Sequence, residues 1–172
     1  AMQERIDDFV ACKRIAVVGV SRTGRKFGNL AANELERRGY EVFPVHPSAA
    51  EIDGRACARS LRELRGRVDA VLVSLPPSAG EHVLRDAVAA GITRVWLQQG
   101  SEDSDLLDLA REIGLEPVVE RCVLMFAPPV RSIHRFHRGV LKMFGRLYPK
   151  HDPFEGRAPP ARPQSPTPSL PG

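Results

Sequence analysis

Thirteen residues near the start of the chain, VVGVSRTGRKFGN (17–29), carry the residue types that hold an anion: glycines at 19, 24 and 28, and cations at 22, 25 and 26. A glycine-rich turn opening a helix presents unpaired N–H groups and the positive end of the helix dipole, and both attract phosphate. The dinucleotide fingerprint G-x-G-x-x-G reads here Gly19-x-Ser21-x-x-Gly24, with the middle glycine replaced. Ser21 puts a side chain where the backbone would touch a pyrophosphate, while Arg22, Arg25 and Lys26 add positive charge around Thr23 and Gly24. The loop favours a phosphate-bearing ligand held otherwise than in a nicotinamide-dinucleotide fold.

The second strand sharpens the choice. An NAD site needs an Asp or Glu at about the end of that strand to accept from the ribose hydroxyls. Here the strand ends in Val45-His46-Pro47, and the nearest acid, Glu41, opens the strand at the opposite end. That leaves a nucleotide whose ribose carries a phosphate, NADP or coenzyme A, with His46 as a polar lip in either case. Other catalytic patterns are missing from the sequence: it has no nucleophile elbow and no H-E-x-x-H. Glu102, Asp103 and Asp105 open a helix, where acids complement the dipole, so they read as capping residues rather than metal ligands. Cys12, Cys57 and Cys122 form no C-x-x-C pair and read as free thiols. Cys122 follows the fifth strand beside Arg121, a place where it either is a buried structural cysteine, the favoured reading, or exchanges disulfide with a ligand thiol.

These residues must be positioned by alternating strands and helices. RIAVVGV, YEVFPVHP, VDAVLVSLPP, TRVWLQQG and LEPVVE are β-branched or apolar runs closed by glycine or proline. Between them, FGNLAANELERRG, with Phe27, Leu30, Ala31 and Leu35 on one face, SAGEHVLRDAVAAG and SEDSDLLDLAREIG have helical periodicity, and SLRELRG offers a short helix. Near-continuous apolar strands joined by helices predict a parallel five-stranded α/β sheet covered on both faces, a Rossmann-like domain over residues 13–128. Ligands of such sheets bind outside the carboxyl ends of the strands. The candidate contacts there are the 19–28 loop, His46-Pro47, Leu75 and Pro76, Gln98-Gln99-Gly100, and Arg121-Cys122.

The segments IAVVGVSRTGRKFGN, YEVFPVHP, VDAVLVSLPP, VWLQQG and ERCVLM fall in the order and spacing of the stand-alone CoA-binding proteins, which are similar to the N-terminal domain of the succinyl-CoA synthetase alpha subunit. The resemblance covers residues 12–128. It implies a Rossmann-like fold with CoA across the strand ends. Its phosphates would meet Gly19, Ser21, Arg22, Thr23, Gly24, Arg25 and Lys26, with Val45 and His46 next to them. Leu75 and Pro76 would lie beside the adenine or pantetheine, and Gln98, Gln99 and Gly100 near the pantetheine arm; Cys122, by its place after the fifth strand, is expected near the same cleft. Two departures stand out: His46-Pro47 replaces the Asn-Pro common among relatives, and no histidine lies in a phosphohistidine-like context, so ligase chemistry is not expected.

The 172 residues, 42% hydrophobic and 27% charged, suit one domain of ordinary size with an appendage. The N-terminus AMQERIDDF is charged where a secretory signal would be apolar, so a cytoplasmic protein is expected. The net charge of +4 is uneven: eight Lys and Arg lie from Arg131 onward against Asp152 and Glu155 alone. Residues 131–150 have a basic amphipathic helical pattern whose apolar stripe suits docking on the domain or on a second copy as a homodimer, and whose basic face suits a membrane surface or nucleic acid less specifically. Residues 151–172 are proline-rich and expected to be disordered, which leaves residues 1–130 as the domain. The leading function is a non-catalytic sensor or carrier of CoA or acyl-CoA. The alternatives are an NADP-dependent oxidoreductase and a nucleotide-regulated interaction protein that uses the basic helix.

Overall fold

A computed structural model of the protein describes residues 1–129; the helix expected at 131–150 and the tail at 151–172 lie outside the described residues. The chain runs α1 (Met2–Val10), β1 (Arg14–Val18), α2 (Phe27–Arg37), β2 (Glu41–Val45), a hairpin of β3 (Glu51–Ile52) and β4 (Arg55–Ala56), a 3-10 turn (Leu61–Leu64) and β5 (Ala70–Val73). A second 3-10 turn (Pro77–Ala79), α3 (Gly80–Ala89), β6 (Arg94–Gln98), α4 (Ser104–Glu112), β7 (Val118–Arg121) and a third 3-10 turn (Val123–Met125) follow. The strands β2-β1-β5-β6-β7, in that order, pair in parallel. The predicted five-stranded parallel sheet is therefore the observed one. No helix among the described residues is long and apolar enough to cross a membrane.

Alternation along the strands divides the core in two. Ile15, Val17, Ala70, Leu72 and Trp96 face one side of the sheet; Ala16, Val18, Val71, Val73 and Leu97 face the other. The second side is covered by the 3-10 turn at Leu61–Leu64 together with α3 and α4, through Leu61, Leu64, Leu84, Ala87, Leu106 and Ala110. A right-handed crossover fixes the face on which each connecting element lies, so the one link that runs the other way, β1 to β2, sends α2 to the first side. Alone, α2 would leave that side bare over β6 and β7. The N-terminal residues, noted in the sequence only for their charge, form α1 and fill the gap: Ile6, Phe9 and Val10 are buried, and Phe9 meets Trp96 edge-on with ring centroids 5.2 Å apart. Tyr40 fastens the end of α1, its hydroxyl donating to the Val10 carbonyl at 2.8 Å, and burial pushes that phenol up to about 12.

The sequence pattern placed Leu30 on the buried face of α2, but Leu30 is 57% exposed. The face that packs instead carries Gly28, Asn29, Ala31, Ala32 and Leu35, because small residues let the helix start lie directly on the backbone after β1. A Cβ on Gly28 would come within 2.5 Å of the Gly19 carbonyl oxygen, and one on Gly19, whose φ is +110°, within 2.0 Å of the Ser74 carbonyl oxygen.

Two outcomes follow from this packing. Gly28→Ala destabilises the domain by about 1–3 kcal/mol, the range for forced overpacking, and lowers the urea midpoint with little change in slope. Phe9→Ala removes the ring that covers Trp96 and costs about 3–5 kcal/mol, read in the same denaturation series by Trp96 fluorescence.

Candidate functional site

At the carboxyl ends of β1, β2 and β5 the sheet opens into a cleft of about 360 Å³. Strand order reverses here, with the chain passing from β1 to β2 on one side and from β5 through β6 to β7 on the other. Open α/β sheets bind ligands at such a point. Val18, Val20, Val45, Leu61, Leu75 and Val83 give the cleft apolar walls, and Lys26, His46, Arg59, Ser60, His82 and Asp86 give it polar ones.

The first loop is held by its own hydrogen bonds. Asn29, wholly buried in the first turn of α2, accepts from the Ser21 N–H at 2.9 Å and from the Ser21 hydroxyl at 3.2 Å through Oδ1. Its Nδ2 donates to the Ser21 carbonyl at 2.9 Å and to Asp53 Oδ2 at 3.1 Å. The Gly24 N–H closes the turn on the Ser21 carbonyl at 3.1 Å, and the Ser21 and Thr23 hydroxyls lie 3.1 Å apart. Asp53 reaches the loop because Asp53 and Gly54 both have positive φ, +51° and +76°, the turn that a two-residue hairpin between β3 and β4 requires. Asp53 thus braces the loop through Asn29 and does not line the cleft. Its signal in the sequence is the Asp53-Gly54 pair; the signal for Asn29 is an amide on the small-residue face of a helix start.

The residues expected at the site fall into three groups. Gly19, Lys26, Val45, His46 and Leu75 line the cleft. Ser21, Arg22, Thr23, Gly24 and Arg25 form the loop between two lining residues, Val20 and Lys26, and all but Ser21 are exposed; Pro76 is exposed beside Leu75. Gln98 at the end of β6, Gln99 and Gly100 just after it, and Cys122 just after β7 share the carboxyl edge of the sheet but lie outside the cleft walls. Gln98 is buried, with Oε1 accepting from the Val123 N–H at 3.1 Å, and the Gln99 N–H donates to the Arg121 carbonyl at 3.3 Å. Cys122, half-buried, accepts from the Met125 N–H through its carbonyl at 3.1 Å. Sequence reading missed Arg59, Ser60, His82 and Asp86, which reach the cleft from the segment after β4 and from α3.

His46 turns inward on its own loop: Nδ1 accepts from the Ser48 N–H at 3.1 Å and the Ala49 N–H at 2.9 Å, so the neutral ring carries its proton on Nε2. Asp86 is buried and paired, at 2.7 Å from Arg62 Nε and 3.3 Å from His82 Nε2. Burial pushes the Glu102 carboxyl up, although the Glu120 N–H donates to it at 3.2 Å, and Asp103 caps α4 by accepting from the Leu106 N–H at 2.8 Å. No cluster of three metal-ligating side chains occurs among the described residues. At the start of α2, Lys26 occupies the N-cap without a side-chain bond to the helix; the Asn29 N–H donates to the Lys26 carbonyl at 3.0 Å, which leaves the N–H groups of Phe27 and Gly28 for a ligand. The site can therefore hold an anion at its loop end and an apolar or aromatic body in its slot.

Known proteins share this fold and stretches of this sequence. The chain is 31% identical over 116 residues to YneT of Bacillus subtilis, an alignment that spans 64% of this chain and 82% of that one. It is 26% identical over 129 residues to the alpha subunit of an ADP-forming acetate–CoA ligase of Pyrococcus furiosus, and there the match spans only 28% of the subunit's length. A solved conserved hypothetical protein from Pyrococcus furiosus superposes with a TM-score of 0.62 at 38% identity, over 65% of this chain and 97% of that one. The profile of the CoA binding domain matches residues 13–128, and the chain belongs to that family.

Proposed function

We propose that this protein binds CoA or an acyl-CoA in the cleft between β1, β2 and β5, in the cytoplasm, as a non-catalytic module that senses or carries the ligand. The observation that carries this reading is the pairing of an uncapped helix start and Lys26 with an apolar slot at the point where strand order reverses. The residues fit the ligand. The phosphates of the ligand suit the N–H groups at the start of α2 and the cations Arg25 and Lys26. The slot between Val45, Leu61, Leu75 and Val83 suits a flat base or an alkyl segment. The carboxyl edge of β6, where Gln99 and Gly100 are exposed, lies on the path a pantetheine arm would take to leave the cleft. The module reading draws on the cleft's inventory. Its buried acid, Asp86, is tied to Arg62 and His82, and one of its two histidines, His46, has Nδ1 occupied by its own loop, so neither of these two groups stands ready as a general base.

Isothermal titration with CoA, acetyl-CoA, NADP and NAD tests the reading. CoA and acetyl-CoA give saturable heat and NAD none. The double variant Arg25→Ala/Lys26→Ala weakens CoA by about tenfold, as loss of charge-assisted contacts requires. NADP binding in place of CoA, or no heat from CoA, contradicts it.

A further inference from the structure

We infer that Arg59, with Lys26 across the cleft, clamps the ribose 3′-phosphate of the ligand and makes the site select CoA over dephospho-CoA. This rests on the cleft being the CoA site. The placement of Arg59 comes from a single backbone contact. The chain after β4 comes alongside the end of β2 as one parallel bridge between Val45 and Ala58, in which the His46 N–H donates to the Ala58 carbonyl at 2.9 Å and the Ala58 N–H to the Pro44 carbonyl at 3.0 Å. Arg59 is the next residue, so it is delivered to the lip beside His46 and Pro47, and its own N–H is fixed by Glu63 Oε2 at 3.0 Å.

Two of the cations that line the cleft have no carboxylate partner among the described residues. Arg14 is paired with Asp69, Arg94 with Asp8, and Arg62 with Asp86, each at 2.7 Å, whereas among the described residues Lys26 and Arg59 enter no ion pair. Two uncompensated cations from two separate loops, on one apolar slot, match a terminal phosphate monoester, which carries up to two negative charges near neutral pH and three acceptor oxygens. Arginine's planar fork suits two of those oxygens at once. The acid that lines the cleft, Asp86, is paired with Arg62, and the Glu63 carboxylate next to Arg59 is engaged by the Arg59 N–H. His46 can add its Nε2 proton on the same lip.

The test compares CoA with dephospho-CoA by titration calorimetry, on the full chain and on Arg59→Ala and Arg59→Lys. Wild-type protein binds CoA at least about tenfold more tightly than dephospho-CoA. Arg59→Ala loses about tenfold for CoA and less than about twofold for dephospho-CoA, and Arg59→Lys recovers part of the difference. Equal wild-type affinity for the two ligands overturns the clamp while leaving CoA binding intact, and so does an Arg59→Ala variant that weakens both ligands alike. Binding of neither ligand by wild-type protein overturns the clamp and the CoA reading together. The Arg59 side chain is exposed, so unchanged thermal melting of both variants separates loss of contact from loss of fold.

Discussion

Everything at the functional edge depends on three backbones meeting without side chains between them. The turn after β1 at Gly19 lies against the Ser74 carbonyl at the end of β5, and Gly28 at the start of α2 lies against Gly19. Add a methyl group at either glycine and the contact distance falls far below any van der Waals minimum. Because the helix start is held against the strand end, main chain fixes the inner end of the cleft, and side chains such as Val45, Leu61 and Val83 form its walls. The two glycines serve the fold first. Whatever they offer a ligand follows from where they put α2.

Covering the sheet is the second constraint. Three of the four connections between its strands lie on one face and only α2 on the other, so that other face needs an element from outside the alternating pattern. α1 supplies it, and Trp96 shows how complete the seal is: its ring lies between Phe9 and Phe126, with centroids at 5.2 and 5.9 Å, and its Nε1 donates to the Arg121 carbonyl at 3.0 Å. The same layer anchors the chain beyond β7. Arg38 at the end of α2 donates through Nη1 to the carbonyls of Leu124 and Ala127 at 2.7 and 2.6 Å.

The five strands and three helices of the alternating pattern were legible because each is a run of one period bounded by glycine or proline. What escaped notice has no period. α1 is nine residues with Ile6, Phe9 and Val10 as its buried contacts, too short a stripe to separate from a charged leader, and its role appears only when the bare face of the sheet is counted. Leu30 was misplaced because periodicity reports where apolar residues recur, while the inner face of α2 is selected by size. At the site, the phosphate loop and the strand ends Val45, His46 and Leu75 were found from their positions after strands. Arg59, His82 and Asp86 were not, because a connection between strands and the middle of a helix carry no mark of convergence until the chain is folded. Asn29 shows the same limit: three of its four bonds go to a residue eight positions earlier.

The Val45–Ala58 bridge has a meaning for the outside of the molecule as well. β2 is the last strand on its side of the sheet, and a strand in that position offers a row of open N–H and C=O groups to any other extended chain. Pro44 removes one donor from that row, and the bridge occupies the Pro44 carbonyl and the His46 N–H that flank it. The contact that carries Arg59 to the lip therefore also closes the sheet's outer margin against strand addition. This sheet can in this way remain five strands wide in a crowded solution without a helix laid over that edge.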